Sequence, residues 1–206
     1  MSRYLVQLNR VDVLTLSGVI SSGLSMQAAL AGHFFLATGW LFLAMLGDAL
    51  DGLLARRLGL AREFGRYLDG FMDVLIYLLA PSLLLYLAGF DGLWSLLLAA
   101  MVMAGCVRLA VFNGSGNIEE GGRLAYRGMP VFWSVFLLGG WLLGALWLPP
   151  QLRHLLLAAL LLLFSHAMLL DRPFFKFSRL SHILLLTLGG AALFFALHLA
   201  GVSLHG

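Results

Sequence analysis

Apolar residues run along this chain in long blocks rather than in alternation. Seven stretches stand out, approximately 12–31, 33–55, 67–89, 93–113, 129–148, 152–170 and 183–201. Each approaches the roughly 20 mostly apolar residues that a helix needs to cross a bilayer. The breaks between them carry charges and helix-stopping residues: Arg56-Arg57, Phe90-Asp91-Gly92, Pro149-Pro150 and Asp171-Arg172-Pro173. The first stretch is the least uniform, because Asp12 and several serines and glycines interrupt it. No internal repeat appears, and no polar segment is long enough for a second domain. The expected fold is all-α, a polytopic membrane helix bundle of six core transmembrane helices with one or two additional spans, forming one domain over 1–206.

Composition strengthens this picture. Of 206 residues, 61% are hydrophobic and 11% charged, against about 25% charged in a soluble domain. So few charges cannot cover a soluble globule, so the apolar surface needs lipid as its solvent. The first ten residues lack the apolar core and small-residue cleavage site of a removable signal peptide, so none is expected. Cys106, the single cysteine, excludes an internal disulfide and reads as a small buried hydrophobe.

The small net charge of +3 becomes informative once its residues are placed. With the N-terminus in the cytoplasm and seven spans threaded, twelve of the thirteen Lys and Arg residues fall on the cytoplasmic side and only Arg153 on the other. The longest cytoplasmic connection, 114–127, is polar and glycine-rich and reads as a mobile or ligand-ordered loop. The basic and aromatic segment Arg172–Phe177 is expected at the same interface, against anionic headgroups. The expected partners are membrane lipids, with no nucleic acid.

Four of the ten acidic residues, Asp48, Asp51, Asp69 and Asp73, lie in or at the ends of apolar stretches. An ionised carboxylate in hydrocarbon is costly, so such groups are paired or functional. Spacings of three and four put each pair on one helix face, and the short basic turn between the helices makes them antiparallel neighbours. Four facing carboxylates repel one another unless cations enter. Oxygen-only ligation suits hard cations such as Mg²⁺ or Mn²⁺, and no Cys–His cluster competes. Arg56, Arg57, Arg62 and Arg66 stand at the same mouth, so carboxylate-held metals and arginines together make a receptor for a diphosphate. Structural Asp–Arg pairing and a cation transporter using the aspartates as its ion site are the competing readings.

The segment Asp48-x2-Asp51-Gly52-x2-Ala55-Arg56-x8-Gly65-x3-Asp69-x3-Asp73 resembles the signature of the CDP-alcohol phosphotransferases at every defined position, eight fixed residues in 26. The resemblance implies that Asp48, Asp51, Asp69 and Asp73 hold a two-metal centre. It implies that Gly52, Ala55, Arg56 and Gly65 receive the cytidine diphosphate, and that Asp73 also acts as general base toward an alcohol. It further implies CDP-diacylglycerol as donor, CMP as leaving group, a homodimer, and a bacterial or archaeal cell membrane with the active site on its cytoplasmic side.

Arg108-Leu109-Ala110-Val111-Phe112-Asn113 and Tyr126-Arg127-Gly128-Met129-Pro130 are similar to elements of the phosphatidylserine synthase branch, with Tyr126 and Met129 as departures. Gly128-Met129-Pro130 with Phe132-Trp133 is also similar to the phosphatidylcholine synthases. Val74 stands where relatives using a glycerophosphate carry lysine, which disfavours a phosphorylated polyol. Serine is therefore the expected acceptor, with choline next, and Arg108, Asn113 and Arg127 are candidates for acceptor or loop contacts.

Overall fold

The computed structural model describes residues 5–115, 118–120, 123–174 and 180–204, without the side chains of 115, 118–120 and 123–125. Arg179 and the Phe175-Lys176-Phe177 half of the basic aromatic segment lie outside the described residues.

Seven helices follow the seven apolar stretches: α1 Arg10–Leu30, α2 Phe34–Arg57, α3 Glu63–Leu87, α4 Ser95–Ser115, α5 Trp133–Gly144, α6 Pro150–Leu169 and α7 Leu180–Leu199. Six are long and apolar enough to cross a membrane, and α5 is a shorter apolar helix. The protein is an integral membrane helix bundle.

Helix ends follow from local chemistry. Asn9 caps α1 in a capping box, accepting from Val11 and Asp12 N–H while its own N–H donates to Asp12 Oδ2 at 2.7 Å. Gly59 ends α2 at φ +65°, with Leu60 N–H returning to Ala55 O, a Schellman closure that only glycine adopts without strain. The resulting turn is short, so α3 starts again within the same membrane face.

Helix α1 packs along α2 and also against α3, so it borders the aspartate hairpin rather than standing apart. Helix α7 packs on α2 by reciprocal insertion. Phe195 covers Gly39, and Phe42 covers Gly190, each ring 2.5 Å from where a Cβ would sit. Small residues that admit a neighbour's bulk drive association where lipid offers no hydrophobic gain. This gives the seventh span a packing role that hydropathy alone did not reveal.

Helix α3 is not uniform. Val74–Leu79 forms a π-helical turn, with Ala80 N–H donating five residues back to Leu75 O. Pro81 has no N–H to offer the Tyr77 carbonyl, and Ser134 Oγ of α5 donates to that oxygen instead. A freed carbonyl satisfied from a neighbouring helix is how a bilayer tolerates a mid-span proline.

Two sequence expectations change. The connection 114–127 contains paired backbone: β1 Ile118–Glu120 joins β2 Arg123–Arg127 antiparallel, and β2 joins β3 Pro173–Phe174. Glu120 pairs with Arg123. Cys106 is exposed, not buried. Its apolar neighbours Met103 and Val107 are exposed as well, because one face of α4 meets lipid and apolar surroundings there do not imply a core.

Candidate active site

Three signature carboxylates converge. Asp48, Asp51 and Asp69 each offer an oxygen such that all three lie within 4.8 Å of one another. Asp48 and Asp51 sit near the end of α2, and Asp69 projects from the start of α3. Asp51 is buried, with Thr15 of α1 and the Gly52 N–H in hydrogen-bonding reach, yet its Oδ2 has no partner. A buried carboxylate oxygen without a donor, beside two further carboxylates, fits a hard cation. The donor set could therefore hold a divalent metal.

Asp73 lies one helical turn deeper than Asp69 and is buried. It faces Asp48, Asp69 and Arg108. Asp69, Asp73 and Tyr77 recur at intervals of four and so share one face. Tyr77, fully buried, donates its hydroxyl to Asp48 Oδ2 at 2.6 Å. Sequence reading passed over Tyr77, although a tyrosine four residues after a buried aspartate was the available signal.

The glycines divide into two kinds. A Cβ on Gly70 would strike the Asn113 side chain, with Oδ1 at 2.9 Å, so this glycine admits Asn113 of α4 between Asp69 and Asp73. Gly52 and Gly65 differ. A Cβ on Gly52 would meet Arg56 Nη1 at 3.7 Å, and one on Gly65 would meet Asp12 Oδ1 at 3.6 Å and Arg62 Cγ at 3.8 Å, all ordinary contacts. The protein's own packing does not require glycine at 52 or 65. The exposed Arg56 folds back over Gly52, and Ala55 is half-buried on the same turn.

Buried donors also await partners. The Nε atoms of Arg66 and Arg108 are buried with no hydrogen-bond partner, and so is the Asn113 Oδ1 acceptor. The Arg108 guanidinium lies 5.2 Å above the Phe112 ring and 5.5 Å above the Tyr126 ring. Burial and the nearby carboxylates of Asp48 and Asp73 push the Tyr126 phenol up to about 12, against the pull of Arg108. Arg127 goes elsewhere. Its exposed guanidinium grips Asp171 through Nε at 2.6 Å and Nη2 at 2.7 Å, a bidentate pair that fastens β2 to the end of α6. Gly128, at φ +72°, completes this junction by donating its N–H to Arg172 O at 2.9 Å.

Sequence reading also missed how α1 closes the site. Asp12 is buried and pairs with Arg62, whose guanidinium also donates to Gln7 O at 2.9 Å and lies over Phe64. The α2–α3 turn is thereby tied to the start of α1.

Three relatives bear on identity. The chain is 32% identical to the phosphatidylcholine synthase of Brucella melitensis over 61% of this chain and 46% of that protein. It is 32% identical to the archaetidylserine synthase of Methanothermobacter thermautotrophicus over 58% and 52%. It is 31% identical to the CDP-diacylglycerol–serine O-phosphatidyltransferase of Bacillus subtilis over 58% and 67%. The chain spans about half the length of the first two relatives. The profile of one family matches residues 8–170, from the cap of α1 through α6, and leaves the cation-transport reading without support. On that match over most of its length, the chain belongs to the CDP-alcohol phosphatidyltransferase family.

Proposed function

We propose that this protein transfers a phosphatidyl group from CDP-diacylglycerol to serine, releasing CMP, at the cytoplasmic face of a bacterial or archaeal membrane. The observation that carries the reading is the meeting of Asp48, Asp51 and Asp69 within 4.8 Å, beside an aspartate, Asp73, that faces an arginine, Arg108.

Asp48, Asp51, Asp69 and Asp73 would hold two divalent cations, Mg²⁺ or Mn²⁺. When bound, such a pair clamps the diphosphate and neutralises charge on the departing phosphate. The cytidine nucleotide lies beside Gly52 and Gly65, Ala55 lets it lie close to α2, and Arg56 meets the diphosphate. The acyl chains stay in the bilayer. The acceptor hydroxyl has a high pKa and needs a base within hydrogen-bond reach. Asp73 takes its proton as that oxygen bonds to the phosphorus bearing the lipid. The bond from that phosphorus to the bridging oxygen of CMP breaks, and CMP leaves with the electron pair.

Arg108 favours serine over choline. Its buried Nε lacks a partner and suits the serine carboxylate. A quaternary ammonium would instead need aromatic faces free of other cations, and the guanidinium already lies over Phe112 and Tyr126. Asn113, held at Gly70, would complete the acceptor contacts.

CMP release by the purified protein with CDP-diacylglycerol and Mg²⁺ or Mn²⁺ tests this, against serine, choline, inositol phosphate and glycerol 3-phosphate. Serine-stimulated, metal-dependent release is the expected result. Release stimulated by choline alone would overturn the acceptor and leave the class standing. No release with any alcohol, with Asp73→Asn matching the wild type, would overturn the class of reaction.

A further inference from the structure

At the end of the bundle opposite the aspartates, α5 and α6 part around an apolar cavity of about 280 Å³. Phe136, Gly140 and Gly144 line it from α5, Leu156 and Leu160 from α6, and Leu148 from the connection. Leu148, Leu156 and Leu160 are also exposed on the outer surface, so the groove opens sideways toward lipid. A Cβ on Gly140 would meet nothing within 4 Å, which marks the groove's open wall.

Two donors stand in this apolar setting without acceptors. Trp141 lines the groove and is only 5% exposed, yet its Nε1–H is buried with no partner. The Arg153 guanidinium lies over the Trp141 ring at 4.3 Å, and its Nε is likewise buried and unpartnered. Unmatched buried donors are costly. Among the described residues, Arg153 is the one Lys or Arg at this end of the bundle, and Asp91, the one acid there, makes no ion pair with it.

The groove's axis identifies the occupant. From Arg153 to Leu160 the wall runs inward along α6 by about 10 Å, and from Gly144 to Phe136 along α5 by about 12 Å, at the helical rise of about 1.5 Å per residue. An apolar trough parallel to the helices, with two unpaired donors at its membrane-boundary end, matches an acyl chain topped by an anionic phosphate. We propose that this groove binds one anionic glycerophospholipid from the leaflet opposite the active site. Arg153 and Trp141 donate to its phosphate and ester oxygens, and α5 and α6 hold the upper part of one chain. A free phosphate would leave the trough empty. A second copy of the chain would have to bring Asp91 to Arg153, since this end offers no other described acid. The donor lipid is separate, because its headgroup reaches the aspartates at the other end.

Native mass spectrometry of delipidated protein in a neutral detergent, titrated with dioleoyl phosphatidylglycerol or dioleoyl phosphatidylcholine, tests this. Wild type should retain one phosphatidylglycerol in preference to phosphatidylcholine. Arg153→Gln should weaken that retention by about tenfold, the scale of one lost charge-assisted hydrogen bond. Gly140→Leu, which fills the open wall, should abolish it, while Asp69→Asn should keep it. A thermal melt reports whether each variant is folded. Equal retention by wild type and Arg153→Gln, or no preference between the two lipids, would overturn the proposal. So would displacement of the lipid by inorganic phosphate, or an Arg153→Gln effect on subunit number instead of bound lipid.

Discussion

Removing the Tyr77 hydroxyl should weaken metal activation without removing a metal ligand. Tyr77 is fully buried, and its hydroxyl donates to Asp48 Oδ2 at 2.6 Å. The ring packs in the core and its carbonyl is held by Ser134, so Tyr77→Phe deletes one donor and keeps the packing. A hydrogen bond to a charged group contributes roughly 1.5–3 kcal/mol, or about 10- to 150-fold. Partners that orient metal ligands act on the same scale, about 10- to 100-fold in metal affinity or activity. The loss should therefore fall on the cation. In CMP-release assays across a Mg²⁺ titration, the concentration for half-maximal activity should rise at least tenfold, while the rate at saturating Mg²⁺ recovers most of the wild-type value. Asp48→Asn should not recover at any Mg²⁺ concentration. An unchanged Mg²⁺ titration for a folded Tyr77→Phe protein would refute the reasoning, because Asp48 would then not depend on this bond for its orientation.

Three further outcomes are expected. Asp73→Asn should bind CDP-diacylglycerol normally yet lose turnover by roughly 10²- to 10⁴-fold, the range of a general base; normal single-turnover chemistry would remove Asp73 from that role. Gly65→Ala should leave the melting temperature unchanged, since the new methyl makes only ordinary contacts, 3.6 Å from Asp12 Oδ1 and 3.8 Å from Arg62 Cγ. It should raise KM for the CDP-lipid by about tenfold, and an unchanged KM would mean that no ligand uses that space. Tyr126 keeps its proton in the folded protein up to about 12, whereas an unfolded tyrosine releases it near about 10. Between those values the folded state binds the extra proton, so stability falls as pH rises; the alkaline drop in melting temperature should be shallower in Tyr126→Phe, and parallel curves would contradict the burial of the phenol.

What could be read from the sequence was what is local. Seven apolar blocks became seven helices because a span's length and composition are properties of one segment. The signature aspartates converge because spacings of three and four fix a face within each helix, and a turn of five residues, 58–62, leaves their helices little freedom. The parts that stayed hidden depend on segments far apart. The β2–β3 pairing joins residues separated by almost 50 positions, and Arg127 goes to Asp171 for the same reason. Tyr77 lies in a π turn just before Pro81, and its carbonyl takes a donor from Ser134 of another helix.

Asp12 shows why an apparent weakness in a span can be a feature of the site. In the hydropathy pattern it interrupts the first stretch. In the fold it is the N3 member of the α1 capping box and the partner of Arg62, so one buried carboxylate fixes both the start of α1 and the turn between the two aspartate-bearing helices. That tie adds to the short turn and to the Tyr77–Asp48 bond in holding Asp69 near Asp48 and Asp51, and α1, already bonded to α2 through Ser25 Oγ and Ala37 O at 2.8 Å, also meets Asp51 through Thr15. A charge placed there costs the span some apolar character. It sets three helices relative to one another at the depth where the carboxylates must converge.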